Sequence, residues 1–118
     1  MIKKVAFTMY PVTDMKRARH FYEDDLGLKP GHEVENSWIE YDVGGTCFGL
    51  YTFKLPWEQV ASRFSNLALE VDDLDQTVAR LRERKVEIKM EPMSTPVCRM
   101  AAITDPDGNI LILHQLKE

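Results

Sequence analysis

Few side chains in this sequence are suited to acid–base or nucleophilic chemistry. Its 118 residues include three His and two Cys. Glu70 and His114 are the most informative polar pair, because a carboxylate and an imidazole that share an apolar cavity can move a proton or hold a polar ligand. Cys98 is a candidate nucleophile if His114 lies beside it, although a Cys near a strand is more often a small buried hydrophobe.

The spacing of the potential metal ligands does not favour a metal site. Cys47 and Cys98 are far from C-x-x-C spacing and are predicted to be free thiols. His20 and Glu23 lie three residues apart on a predicted helix, but the sequence contains no second pair of this kind to face them.

Composition excludes several classes of function. Fifteen basic and nineteen acidic side chains give a net charge of -4, with no basic stripe, so no nucleic-acid partner is expected. The longest apolar stretches, such as 110–113, are far shorter than the roughly 20 residues of a membrane span. Their shortness predicts no membrane association, and the N-terminus lacks the pattern of a secretory signal, so we predict a cytoplasmic location.

These side chains must be positioned by a chain of single-domain length, and its pattern of elements occurs twice. Asp14 and Asp73 each cap a predicted helix, are 59 residues apart, and follow Val12 and Val71 at the same spacing. Each helix lies between one predicted strand and three later ones. The first module is predicted to have strands at 4–10, 29–35, 38–43 and 46–53, and the second at 66–71, 86–90, 97–104 and 110–116.

The sequence therefore predicts a single α+β domain, residues 1–118, built of two βαβββ modules. The modules cover about 1–55 and 66–118, and a linker covers about 54–65. The last hairpin turns through Asp105–Asn109 (DPDGN), a strong turn sequence.

The chain resembles the vicinal oxygen chelate superfamily, which includes glyoxalases, extradiol dioxygenases and the fosfomycin and bleomycin resistance proteins. The resemblance rests on Val12–Met15 (VTDM), followed by Phe21-Tyr22 and Leu26–Leu28 (LGL), on Val71–Leu74 (VDDL) and on the DPDGN turn. It covers essentially the whole chain. It implies an incomplete barrel formed by the two modules around a concave central cavity. It also implies a homodimer, because members with only two modules often pair two chains.

The resemblance places a metal ligand on the first and last strand of each module. The corresponding positions here are Phe7, Gly49, Asn66 and Ile112. Phe, Gly and Ile have no side-chain donor atom, and a neutral Asn amide is a poor ligand for first-row metals. These residues instead predict an apolar cavity floor suited to an organic ligand, and we expect no metal and no cofactor.

Strand alternation then predicts which side chains line this cavity. The register of the last hairpin leaves the faces of Cys98 and Met100 open. The predicted ligand-binding residues are Phe7, Met9, Trp38, Glu40, Cys47, Gly49, Tyr51, Asn66, Glu70, Ile112, His114 and Cys98.

Three functions follow as competing hypotheses. The leading one is a metal-free protein that binds an aromatic or amphipathic small molecule. The alternative is a lyase or dioxygenase-like enzyme that uses Glu70 and His114, either without metal or with a metal displaced toward groups such as Glu40. The third is a regulatory interaction domain without a ligand, its cavity filled by Phe7, Trp38 and Tyr51.

Overall fold

The computed structural model describes residue 1, residues 3–56 and residues 67–117. The chain divides into two compact units, residues 1–61 and residues 62–118. Each unit contains one open four-stranded sheet. The predicted α+β fold of two βαβββ modules is confirmed. None of the helices in the described part of the chain is long and apolar enough to cross a membrane.

The first unit has the strand order β1-β4-β3-β2. β1 runs parallel to β4, and the other neighbouring strands are antiparallel. Its elements are β1 (Thr8–Pro11), α1 (Met15–Arg19), a π-helical segment (His20–Asp25), β2 (Pro30–Val34), β3 (Trp38–Val43) and β4 (Thr46–Tyr51).

The predicted first helix is present, but its second half is wider than an α-helix. The Asp14 side chain caps its start by accepting a hydrogen bond from the Arg17 N–H at 3.1 Å. Further along, the Leu26 N–H donates to the Phe21 carbonyl at 3.0 Å, which is the i→i+5 spacing of a π-helix. The segment buries Phe21 and Tyr22 together.

One face of the first sheet carries the core of this unit. Ile39, Tyr41, Phe48 and Leu50 are almost completely buried. The Tyr22 ring of the π-helical segment packs against this face, with its centroid 5.4 Å from that of Phe48 and 6.1 Å from that of Tyr41. The helix therefore covers only one face of the sheet.

The second unit repeats this order as β5-β8-β7-β6. Its helix begins at the capping residue Asp73, whose side chain accepts from the Gln76 N–H at 3.0 Å. The Gln115 side chain satisfies a further N–H of the first turn by accepting from Leu74 at 2.7 Å. Its elements are β5 (Ala68–Glu70), α2 (Leu74–Glu83), β6 (Glu87–Ser94), β7 (Cys98–Thr104) and β8 (Ile110–Leu116).

Its core also lies between the helix and one sheet face. The helix contributes a buried stripe at helical spacing, and β7 and β8 contribute alternate residues that are equally buried. These core residues are Leu74, Val78, Leu81, Ala101, Ile103, Leu111 and Leu113.

Several predicted boundaries differ from the structure. Thr8, rather than Lys4, is the first residue of β1, so Phe7 immediately precedes the strand. β6 extends beyond the predicted end at Met90 to Ser94, with two irregularities in its register against β7. Most of the predicted linker at 54–65, and the predicted strand start at Asn66, lie outside the described residues.

The DPDGN turn is held together by a buried polar network. Asp105 accepts from the backbone N–H groups of Asp107 at 2.9 Å and Asn109 at 2.8 Å. The Asn109 amide donates to the second oxygen of Asp105 at 2.8 Å, and both side chains are buried. Gly108 supplies the left-handed conformation that the turn requires, with φ 87°.

We predict that Asp105→Ala lowers the free energy of unfolding by about 2–3 kcal/mol, because it leaves buried donors without an acceptor. Urea denaturation measures this. Asp42→Ala is the matched control, since Asp42 accepts from Gly45 at 2.9 Å in an exposed turn, and we expect it to cost less than about 1 kcal/mol. Equal losses for the two variants would contradict the prediction.

Candidate functional site

The open face of the first sheet, opposite the helix, carries most of the predicted binding residues of that unit. Glu40 lies opposite Gly49, and Trp38 lies opposite Tyr51, on β3 and β4. Met9 of β1 also pairs with Gly49. Since side chains alternate along a strand, these residues share the face that Ile39 and its neighbours do not use.

The indole of Trp38 lies directly on the backbone of Gly49. A Cβ atom added to Gly49 would come within 2.3 Å of Cη2 and 2.6 Å of Cζ2 of the indole. The indole Nε1 donates a hydrogen bond to Oε2 of Glu40 at 2.9 Å. The position of the ring therefore depends on two neighbours, one that lacks a side chain and one that accepts its N–H.

Two further aromatic rings flank this indole. Phe7 meets it edge-on with ring centroids 5.6 Å apart, and Phe53 lies nearly parallel to it at 6.5 Å. Tyr51 contacts Phe53 at 5.1 Å. Phe7 is 47% exposed and Phe53 is 39% exposed. We call Phe7, Trp38, Tyr51 and Phe53 the aromatic patch.

Sequence reasoning missed Phe53 as a member of this patch. The available signal was its position two residues after Tyr51, which continues the same alternation beyond the end of β4. Cys47 lies on this face too, opposite Asp42, and is half-buried. Burial, and then the charges of Glu40 and Asp42, raise the pKa of its thiol, which disfavours a nucleophilic thiolate.

In the second unit the structure brings Glu70 and His114 together. They are opposite each other on β5 and β8, and Oε1 of Glu70 lies 2.6 Å from Nδ1 of His114. The second carboxylate oxygen accepts from the Leu116 N–H at 2.8 Å. The hydrogen bond from His114, and then that from Leu116, lower the pKa of Glu70. The Glu70 side chain is 58% exposed and that of His114 is 27% exposed.

The structure also assigns the two faces that the sequence left open. Met100 lies opposite His114 and Cys98 lies opposite Leu116. Both therefore share the open face of the second sheet with Glu70, as does Ile112. Cys98 is buried, and its Sγ lies 3.2 Å from the Thr95 hydroxyl. The hydrogen-bonding neighbour of the thiol is thus a hydroxyl rather than the imidazole that would activate it.

A charged groove of about 820 Å³ lies along the helix of the first unit and the end of β2. Sequence reasoning did not identify it. Arg19 crosses it and donates to Glu23 and to Glu33, each at 2.5 Å, and the Tyr41 hydroxyl donates to Glu23 at 2.9 Å. Arg19, Glu23, Glu33 and Tyr41 therefore hydrogen-bond to one another within the groove.

The residues at the superfamily's metal positions do not fit a metal ion. Phe7, Gly49 and Ile112 have no donor atom, and the Trp38 indole fills the space that a side chain at Gly49 would need. Asn66 lies outside the described residues. Among the described residues, no group of three or more His, Cys, Asp and Glu side chains has the arrangement of a metal site.

The fold and these sheet faces define a small α+β protein of two βαβββ modules. The family model described as the Glyoxalase/Bleomycin resistance protein/Dioxygenase superfamily matches residues 4–113. The chain belongs to this superfamily, which confirms the resemblance seen in the sequence.

Individual relatives include both enzymes and a binding protein. A lactoylglutathione lyase of Salmonella typhimurium is 24% identical, and the match covers 98% of this chain and 94% of that protein. A probable chloroplastic lactoylglutathione lyase of Arabidopsis thaliana is 25% identical, and the match covers 90% of this chain but only 34% of that protein. The structure of TnmS3, an antibiotic binding protein from Streptomyces sp. CB03234, is similar with a TM-score of 0.80 and 29% identity, over 98% of each chain.

We predict that Gly49→Ala displaces the Trp38 indole, since the new Cβ would overlap the ring. Overpacking of this kind costs about 1–3 kcal/mol. The chain has two Trp residues, so a Trp57→Phe background assigns the fluorescence to Trp38. In that background, Gly49→Ala should change the wavelength and intensity of the Trp38 emission. Urea denaturation should show the loss of stability. Gly31→Ala is the matched control, because a Cβ there would lie 3.4 Å from its nearest atom, the Glu40 carbonyl oxygen. Unchanged emission in Gly49→Ala would contradict the packing described.

We predict that His114→Ala raises the pKa of Glu70, because it removes the largest cause of the lowered value. The lowered pKa stabilises the folded state above the pKa of the unfolded chain, and this contribution is lost as pH falls through the folded pKa. Carboxyl-carbon NMR of Glu70 measures the titration directly. His20→Ala is the control, since His20 pairs with Asp24 instead. A Glu70 titration that is the same in wild type and His114→Ala would exclude this cause.

Proposed function

We propose that this chain is a metal-free small-molecule-binding protein of the glyoxalase/bleomycin-resistance type. The observation that carries the proposal is the Trp38 indole lying on Gly49, where the superfamily would place a metal ligand. An aromatic surface takes the place of a donor atom. Such a surface suits stacking with a planar aromatic or amphipathic compound.

The chemistry of the aromatic patch supports this ligand class. Phe7 and Phe53 leave ring surface accessible beside the indole, and Met9 lies on the same sheet face. Glu40 adds one carboxylate, which already holds the indole N–H and can accept a second hydrogen bond from a ligand. A mainly apolar surface with few polar groups is typical of sites for organic ligands. The similarity to an antibiotic binding protein is consistent with this class.

We predict that Trp38→Leu weakens binding of planar aromatic compounds about tenfold, equivalent to the loss of about 1.4 kcal/mol of stacking. Isothermal titration calorimetry with a panel of naphthalene and anthraquinone derivatives tests this. Val97→Ala, which changes an exposed apolar residue of the second unit, is the control. Equal affinity for Trp38→Leu and wild type would reject the patch as the binding surface.

Metal content supplies a separate test of the same proposal. We expect purified protein to contain less than stoichiometric Fe, Mn, Ni or Zn by mass spectrometry, because three of the four superfamily positions have no donor atom. A stoichiometric metal whose removal abolishes ligand binding would overturn the proposal.

We also propose that the protein forms a homodimer and is cytoplasmic. β2 lies at the edge of the first sheet and β6 at the edge of the second, and all five residues of β2 are exposed. Unpaired edges of this kind are available for association with another chain. Light scattering that gives only the 13.7 kDa monomer mass at micromolar concentration would reject the dimer.

The alternative function is a lyase or dioxygenase-like enzyme that uses Glu70 and His114. The 2.6 Å contact between them favours it, since a carboxylate-bound imidazole is a common general base. Turnover of the hemithioacetal of methylglyoxal and glutathione, lost in His114→Ala and kept in His20→Ala, would establish this function. The third hypothesis, a domain without a ligand, predicts no binding by any compound of the panel.

A further inference from the structure

The two nitrogen atoms of the His114 imidazole have different surroundings. Nδ1 lies 2.6 Å from Oε1 of Glu70. Within the described part of the chain, Nε2 has no hydrogen-bond partner. The 27% exposure of the side chain leaves the ring accessible from the open face of the second sheet.

The carboxylate that holds Nδ1 is itself fixed. Its second oxygen accepts from the backbone N–H of Leu116, two residues beyond His114 on β8. Glu70 therefore bridges a side chain and a backbone group of the same strand. Both of its oxygens are engaged, so the carboxylate cannot rotate without losing a hydrogen bond.

This arrangement determines where the imidazole carries its proton. A glutamate carboxyl is ionised at neutral pH, and an ionised carboxylate only accepts hydrogen bonds. Nδ1 must then be the donor to Glu70. In a neutral imidazole the lone pair is left on Nε2, which becomes an acceptor.

The neighbours of His114 on this face are apolar. Met100 lies opposite it on β7, and Ile112 precedes it by two residues on β8. Ala102 lies opposite Ile112. These three side chains carry no N–H or O–H group that would compete with a ligand for Nε2.

We propose that Nε2 of His114 is a ligand-binding atom that accepts a hydrogen bond from a weakly acidic hydroxyl group, such as a phenol, on an aromatic ligand. Glu70 is its positioning residue and holds the tautomer that makes Nε2 an acceptor. The inference rests on the proposed function, since it takes the ligand to be a small organic molecule.

The tautomer is tested in the free protein by nitrogen-15 NMR of the imidazole. We expect His114 to be the Nδ1–H form in the wild type. Glu70→Gln should shift it toward the Nε2–H form, because the introduced amide can donate to Nδ1. Asp24→Asn is the matched control: it alters the partner of His20, 2.7 Å away, and should leave His114 unchanged. An Nε2–H form in the wild type would overturn the inference, and this result does not depend on how any variant folds.

Ligand recognition is tested with 2-naphthol and its methyl ether, 2-methoxynaphthalene. A methyl group replaces the hydroxyl hydrogen in the ether, so only 2-naphthol can donate a hydrogen bond. We expect wild type to bind 2-naphthol about tenfold more tightly, the effect of one hydrogen bond. Glu70→Gln should remove this preference without weakening binding of the methyl ether. Equal affinity of wild type for the two compounds would overturn the inference and leave the proposed function intact. If wild type binds neither compound, both the proposed ligand class and the proposed hydrogen bond to His114 are overturned.

Discussion

In the described part of each unit, one helix covers one face of a four-stranded sheet, and burial of that face determines which way the side chains of the central strands point. Tyr22 packs on Phe48 in the first unit, and Leu74, Val78 and Leu81 bury the corresponding face of the second. Because side chains alternate, burial of one set on the helix side commits the other set to the open face. A slip of one residue in register would exchange the two sets. The residues of the aromatic patch, and the pair Glu70 and His114, belong to the set that lies on the open face.

The open faces of the two units differ in chemistry although their topology is the same. The first carries stacked and edge-on aromatic rings whose arrangement depends on Gly49 having no side chain. The second carries an imidazole held by a carboxylate among small and aliphatic side chains. One face is suited to dispersion and stacking, and the other to a directed hydrogen bond.

Membership of the Glyoxalase/Bleomycin resistance protein/Dioxygenase superfamily does not by itself select between catalysis and binding. The relatives include lactoylglutathione lyases and an antibiotic binding protein. The residues at the positions that the sequence resemblance assigns to metal ligands bear on this choice. Phe7 and Ile112 cannot coordinate a metal, and the space beside Gly49 is filled by an indole. The side chains at these positions are therefore better evidence about function than the fold.

The sequence predicted most of the architecture because local signals agreed with one another. The Asp14 and Asp73 caps and the DPDGN turn each have a local physical cause, and their repetition indicated two modules. Boundaries were less accurate where they depend on pairing partners that are distant in sequence, as at the start of β1 and the end of β6. The π-helical hydrogen bond between Leu26 and Phe21 could not be predicted from local sequence. It accompanies the joint burial of Phe21 and Tyr22, which depends on packing against the sheet.

The sequence by itself determined the residue types at the metal positions and the alternation that places Glu70 and His114 on strand faces. Only the tertiary structure decided that the Trp38 indole lies on Gly49, that Cys98 contacts Thr95, and that both oxygens of Glu70 are engaged. The physical reason is that alternation fixes a side of the sheet, whereas rotamers and hydrogen-bond partners depend on which strands lie next to one another and in what register.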